Sequence, residues 1–294
     1  MIYYKPFFVI FVMMQSTMEV NGKVGIGFRR EFASDFINSD VLKPGFVEFS
    51  PENWIGMGGF WKKKLDVIVE NYPVVCHSLA MSIGSPDDLD MNYLRDIKQF
   101  LSDVNCQMYS FHLSFAKCDN AHLYELLPIP FTEDAIKHVA NKIRIVQDFL
   151  ERPIAIENSS YYTPLAPEME EIEFVNSVMQ EANCKMLLDV NNVYVNAFNH
   201  KYDAEKYISE LDLERVMYIH MAGHTQVSED TIIDTHGEPI IDPVYDLFEF
   251  AIKKLPPVPI LLERDFNIPK LAELQQEVSA LQTIVNKVWS LEKK

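Results

Sequence analysis

Metal-capable side chains recur along this chain in step with its short apolar runs. His77 closes the run Val74-Val75-Cys76, His112 closes Met108-Tyr109-Ser110-Phe111, and Glu157 closes Ile154-Ala155-Ile156. Asp189 closes Met186-Leu187-Leu188, His220 closes Tyr218-Ile219, and Glu263 closes Ile260-Leu261-Leu262. The stretch after His220 adds Asp234 and His236. A strand buried on both faces ordinarily reads as apolar throughout. Here six successive runs break that rule at the last position, each with a residue type that binds metal. Burying so many carboxylates and imidazoles together is costly unless cations compensate, and imidazole with carboxylate suits zinc, iron or manganese. Eight candidates exceed what one ion takes, so two or three ions are expected. Taken singly, each residue has an ordinary alternative. A strand-end His is commonly a hydrogen-bonded structural residue, and an Asp or Glu there caps a helix or pairs with an Arg.

Other polar residues fall close by. Asn158 adjoins Glu157, and Asn192 lies three residues beyond Asp189. Either could ligate through its amide oxygen or orient a ligand; Asn192 is placed with the metal set. Asn158, His224, Arg264 and Asp265 are candidate substrate contacts, with structural pairing as the alternative for the last three. His122, His138 and His200 fall outside strand ends and are expected to be solvated. Cys76 precedes a ligand, so strand alternation turns it to the opposite layer, where it packs.

The elements that must position these residues follow from the pattern around them. β-branched and aromatic runs alternate with longer helical segments, the signature of βα units and a parallel sheet. Strands are expected at residues 24–28, 46–49, 74–77, 107–112, 154–157, 185–189, 216–220 and 260–263. The clearest helices are expected at 92–104, 133–150, 168–182, 243–253 and 270–288. Thr132 before Glu133 and Asp134 reads as an N-cap with an acidic first turn. Eight strands in this order predict a single (β/α)8 TIM barrel over residues 23–290, with its chemistry in the loops at the strands' C-terminal ends.

Bulk composition narrows the partners. With 26 Lys+Arg against 43 Asp+Glu the net charge is −17, which disfavours a nucleic-acid partner. The four cysteines (Cys76, Cys106, Cys118, Cys184) form no C-x-x-C pair, and scattered thiols suit a reducing, cytoplasmic setting. The apolar run Phe7–Met14 is too short to span a bilayer and no small-residue cleavage site follows it. Residues 1–20 are read as a poorly ordered extension and no membrane association is expected.

Several blocks carry a resemblance. His77-Ser78-Leu79-Ala80-Met81-Ser82-Ile83-Gly84-Ser85, Leu127–Thr132, Glu157-Asn158-Ser159-Ser160-Tyr161, Leu188–Val195, His220-Met221-Ala222-Gly223-His224, Ile233-Asp234-Thr235-His236 and Leu262-Glu263-Arg264-Asp265 resemble, in order, the blocks of the multinuclear non-haem iron-dependent oxidases. The likeness runs from about Lys23 to Glu277. It implies a two- or three-iron centre (Fe(II)/Fe(III)) held by His77, His112, Glu157, Asp189, Asn192, His220, Asp234, His236 and Glu263, with Asp189, Glu157 and His220 nearest the chemistry. It further implies dioxygen as co-substrate, a cysteine-containing, ribosomally made precursor peptide as substrate, and a leader-binding partner protein forming a heterodimer. In such enzymes a substrate thiolate binds one iron and hydrogen is removed from the cysteine β-carbon. Ser110-Phe111-His112-Leu113-Ser114 departs from the family pattern, in which Asp precedes the His and Cys-Trp follows it, although His112 is retained. A looser likeness is to endonuclease IV and the sugar isomerases, xylose-isomerase-like barrels with His, Glu and Asp at the same strand ends. In endonuclease IV a His stands where this chain has Asn192. A zinc-dependent hydrolase or phosphodiesterase, or a sugar isomerase, is therefore the alternative reading, and a metal-binding module without turnover a third.

Overall fold

The computed structural model describes residues 20–119, 121–163 and 167–289. The first half runs β1 (Val24–Gly27), α1 (Ala33–Ile37), β2 (Val47–Phe49), α2 (Gly59–Asn71), β3 (Val74–Ser78), α3 (Met91–Asp103) and β4 (Tyr109–His112). A hairpin, β5 (Phe115–Cys118) and β6 (Ala121–Leu127), leads to α4 (Glu133–Leu150) and β7 (Ala155–Glu157). Then come α5 (Glu171–Ala182), β8 (Lys185–Asp189), α6 (Val190–His200), α7 (Ala204–Glu210) and β9 (Val216–Met221). A second, two-residue-stranded hairpin, β10 (Thr225–Gln226) and β11 (Ile232–Ile233), precedes α8 (Asp242–Ile252), β12 (Ile260–Leu262) and α9 (Leu271–Trp289). Eight parallel strands close in the order β1-β2-β3-β4-β7-β8-β9-β12, and β12 pairs back onto β1. The chain is a (β/α)8 barrel with two hairpins added above its C-terminal face.

Strand alternation sorts the barrel interior into layers. Phe46, Val75, Met108, Ala155, Leu187, Tyr218 and Leu261 pack together with Val20 as one cluster, separate from the large core between strands and helices. Phe46 can fill this floor because Gly25 faces it: a Cβ there would lie 2.6 Å from the ring. Two residues further along each strand the same inward face carries Glu48, His77, Ser110, Glu157, Asp189, His220 and Glu263. One pleat thus separates an apolar floor from a polar ceiling. Cys76, of opposite parity, packs outward in the helix-facing core.

Helix ends follow local chemistry. Thr132 Oγ1 accepts the Ala135 N–H at 3.2 Å, the expected cap of α4. Asp90 and Asp203 cap α3 and α7 in the same way. The hairpins were not anticipated, and the helices α1, α2, α6 and α7 were not among the clearest that periodicity named. The extension assigned to residues 1–20 lies outside the described residues except for Val20, which is fully buried against the barrel floor. Among the described residues no helix is long and apolar enough to cross a membrane.

Candidate metal centre

The ceiling layer converges. His77 Nε2 lies 3.1 Å from Glu157 Oε2 and 3.3 Å from His112 Nε2, and His112 Nε2 lies 3.4 Å from the same carboxylate oxygen. His220 Nδ1 is 2.9 Å from Glu263 Oε2 and 3.9 Å from Glu157 Oε1. His236 brings Nδ1 to 3.3 Å from Glu263 Oε2 and Nε2 to 4.0 Å from Asp189 Oδ2. Four triads have donor atoms mutually within 4.8 Å: His77-His112-Glu157, Glu157-Asp189-His220, Asp189-His236-Glu263 and Glu48-His220-Glu263. They share members, so the set is one continuous cluster. Asp189 and His220 are fully buried, whereas His112, His236 and Asp265 retain 15%, 11% and 34% side-chain exposure and mark the side from which a substrate can approach.

Local folding explains how each residue arrives. Asp189 ends β8 and is also the N-cap of α6: its Oδ1 accepts the Asn192 N–H at 2.6 Å, while Oδ2 is left without a partner. Capping and ligation, alternatives when only the sequence is read, are compatible because a carboxylate has two oxygens. His236 reaches the cluster from the loop after β11 with a left-handed backbone (φ +50°). That loop crosses Gly223 so closely that a Cβ there would stand 2.0 Å from the Glu238 carbonyl oxygen. His236 N–H donates to Gly223 O and Asp265 N–H to His236 O, both at 3.0 Å, which fixes the crossing.

The electrostatics of the cluster follow from burial and from the closeness of its charged groups. Burial, with Asp189 and Glu263 adding to it, pushes the Glu157 carboxyl well above the usual carboxylate range. Burial lifts Asp189 to about 7, against the pull of His236 and with help from Asp234. Glu263 goes the other way: burial is outweighed by His220 and His236, which hold it well below the ordinary value. Burial lowers His112 to about 4 and, with His112 and His220 beside it, holds His77 well below the usual imidazole range. Buried polar atoms without hydrogen-bond partners gather here. Seven of the ten found among the described residues belong to His112, Glu157, Asp189, Asn192, His220 and His236. Native interiors rarely leave such atoms unpaired. The orphaned oxygens of Glu157 and Asp189 and ring nitrogens of His220 and His236 belong to the triads and fit divalent cations, which would satisfy them.

The remaining candidates are placed as follows. Asn192 Nδ2 donates to Asn158 O at 3.0 Å, leaving Oδ1 buried and unpartnered, as a ligand or ligand-orienting oxygen would be. Asp234 stands beside the triads: Oδ1 is 2.7 Å from His236 Nε2 and accepts Asn191 Nδ2 at 2.7 Å, and Oδ2 accepts Ser160 Oγ at 3.1 Å. His224 Nδ1 meets Asn191 Oδ1 at 2.8 Å and its ring stacks on Tyr194. Asp265 sits at the rim, 3.3 Å from His236 Nδ1 and paired with Arg29. Two of the four expected substrate contacts are engaged elsewhere. Asn158 spends its amide on the Asp189 backbone, accepting N–H and donating to the carbonyl, each at 2.9 Å. Arg264 is buried in a two-pronged pair with Glu277 of α9. Of the histidines expected in solvent, His138 is exposed, its ring bonding the Ser85 carbonyl at 2.8 Å, whereas His200 is half-buried and bonds the Tyr161 carbonyl at 2.8 Å.

Comparison with known proteins agrees with this geometry. Residues 23–286 match the family model described as RiPP precursor modification enzyme MbnB/TglH/ChrH. The chain belongs to this family. It is 44% identical over 274 residues to the UPF0276 protein of Shewanella sediminis, covering 93% of this chain and 98% of the relative. To the UPF0276 protein of Nitrosospira multiformis it is 48% identical over 258 residues, covering 87% and 90%. Among solved structures, D-psicose 3-epimerase from Clostridium cellulolyticum superposes with TM-score 0.59 at 11% identity, covering 91% and 99% of the two chains. Endonuclease IV from Thermus thermophilus does so with TM-score 0.55 at 11% identity, covering 90% and 99%. These structural likenesses concern the fold alone. Family membership makes the protein an enzyme and implies a precursor peptide as substrate.

Four residues at the site escaped sequence reading. Glu48 accepts His220 Nε2 at 3.1 Å and Tyr218 OH at 3.0 Å. Ser110 Oγ meets His77 Nδ1 at 2.7 Å and also bonds Tyr218 OH. Arg29 pairs with Glu263 at 3.3 Å and with Asp265, supplying the cluster's nearby permanent cation. Glu48 had a signal, a lone charge inside Phe46-Val47-Glu48-Phe49, but it sits mid-run rather than at the run's end.

Proposed function

We propose that this enzyme uses a two- or three-iron centre and dioxygen to oxidise cysteine residues of a ribosomally synthesised precursor peptide in the cytoplasm. The observation that carries the reading is the set of interlocking triads in which Glu157 Oε2, Asp189 Oδ2, His220 Nδ1 and both His236 ring nitrogens are buried without a hydrogen-bond partner. Ligands would be His77, His112, Glu157, Asp189, His220, His236 and Glu263, with Asn192 Oδ1 and Asp234 contributing at the edges. When bound, iron would supply dioxygen activation and a docking point for a substrate thiolate. Glu157 and Asp189, each shared between two triads, would hold neighbouring positions at a fixed separation. His220, fully buried, would bind on the closed side. Substrate would enter past His112 and His236, with His224 and Asp265 lining its approach. The chain would meet the peptide together with a leader-binding partner protein.

Protein isolated without oxygen should contain two or three irons per chain by elemental analysis and Mössbauer spectroscopy. It should consume dioxygen when given a cysteine-bearing precursor peptide. Stoichiometric zinc with peptide- or phosphodiester-cleaving activity that persists after iron chelation would select the hydrolase instead.

A further inference from the structure

A line of hydrogen bonds runs beneath the cluster and joins two ligands on opposite sides of the barrel. His77 Nδ1 meets Ser110 Oγ at 2.7 Å, Ser110 Oγ bonds Tyr218 OH, and Tyr218 OH donates to Glu48 Oε2 at 3.0 Å. His220 Nε2 reaches the same Glu48 oxygen at 3.1 Å. Ser110, Tyr218 and Glu48 come from β4, β9 and β2 and are all buried. Only one direction satisfies every atom. A carboxylate oxygen only accepts, so Tyr218 O–H and His220 Nε2–H both point at Glu48. The Tyr218 proton being committed, Ser110 O–H must donate to the Tyr218 oxygen. His77 must then donate Nδ1–H to Ser110. The consequence lies at the far side of each ring: His77 is left with a lone pair on Nε2, facing His112 and Glu157, and His220, its Nε2 proton committed, has only Nδ1, facing Glu157 and Glu263, to offer a cation. His77 thus offers its ε nitrogen and His220 its δ nitrogen, to different triads, through one polarised chain.

We propose that Glu48, Tyr218 and Ser110 are positioning residues that act as one unit, fixing opposite tautomers of His77 and His220 and so coupling two metal positions. Although Glu48 shares a triad with His220 and Glu263, its Oε2 accepts two hydrogen bonds and faces His220 Nε2, the nitrogen turned away from Glu263. It belongs behind His220, as the carboxylate that orients a ligating imidazole. The inference deepens the metal-centre reading, but its geometry is testable without iron or dioxygen.

The test is the tautomeric state of the two imidazoles, read from their nitrogen chemical shifts in the Zn(II)-loaded protein and, for His77, also in the metal-free protein. His77 should carry its proton on Nδ1 in both forms, and His220 on Nε2 with metal bound. Ser110→Ala should release His77 to mixed tautomers and weaken Co(II) or Zn(II) binding roughly 10–100-fold, the range for loss of a ligand-orienting partner. Ser110→Thr, which keeps the hydroxyl, should restore both. Glu48→Leu, which removes the acceptor, should do the same to His220. Because the chain runs through Tyr218 OH, the Ser110 and Glu48 substitutions should be non-additive in Co(II) affinity. They should become additive in a Tyr218→Phe background. Unchanged tautomers in Ser110→Ala and Glu48→Leu, or additivity already with Tyr218 present, overturn the proposal. Wild-type protein that binds neither metal while keeping His77 protonated on Nδ1 would sink the metal-centre reading and leave the hydrogen-bond chain standing.

Discussion

Glu157 is common to the triads His77-His112-Glu157 and Glu157-Asp189-His220, so Glu157→Gln should act with opposite sign on the loaded and metal-free protein. In the loaded protein the substitution removes one negative charge from two neighbouring cation positions. Unit charges 4 Å apart interact by about 4 kcal/mol at an effective dielectric constant near 20. The loss should therefore cost on the order of 4 kcal/mol per position, roughly a thousandfold in Kd. Without metal the carboxylate is a liability. It is 1% exposed, its Oε2 has no hydrogen-bond partner, and burial beside Asp189 and Glu263 drives it toward protonation. An amide of the same shape has no charge to desolvate and can donate toward His77 or His112. Metal-free Glu157→Gln should gain about 1–3 kcal/mol, the usual penalty of an unsatisfied buried polar group. For a chain of this size that is about 1.5–2 °C of melting temperature per kcal/mol. Thermal unfolding after chelation, beside metal titration of the same preparations, reads both effects. Full metal retention, or a melting temperature that falls in the metal-free variant, would refute the assignment of Glu157 as the shared ligand.

Asp189→Ala should lose at least one metal ion by elemental analysis, along with peptide oxidation. Asn192→His should keep its metal but oxidise peptide more slowly, because an added imidazole closes a position that oxygen chemistry needs open. Arg264→Met should leave metal content intact yet destabilise the fold by about 3 kcal/mol in denaturant unfolding, by stranding Glu277. Glu171, ringed by Tyr202, Tyr207 and Asn196, is raised to about 7 by burial, so its proton stabilises the fold at acid pH. That contribution is complete below the ordinary carboxylate range and fades as pH rises through about 7. Glu171→Gln should gain up to about 3 kcal/mol on wild type between pH 5 and pH 8 in urea titrations, and an unchanged difference would count against the buried charge.

The eight-strand order, most helix spans and the metal-capable residues that cluster at the barrel mouth were legible in the linear chain, because a charged residue inside an apolar run violates a strong local rule. His77, His112, Glu157, Asp189, His220 and Glu263 all announced themselves in this way, and the structure gathers them with His236 on one face of the barrel. Periodicity reports only which face a residue shares with its near neighbours, and so it was silent on direction and reach. It could not say that Arg264 turns outward to Glu277 or that Asn158 is consumed by the Asp189 backbone. Nor could it show that His236 swings in over Gly223, since that depends on two loops crossing at contact distance. Glu48 lay mid-run, where strand boundaries decide whether a residue is ceiling or floor. Its partnership with Tyr218, 170 residues away, exists only because β2 and β9 face each other across the closed barrel. Residue type and local period are properties of the sequence; which donor atom faces which is fixed by closure of the sheet, because only closure brings opposite strands within hydrogen-bonding distance.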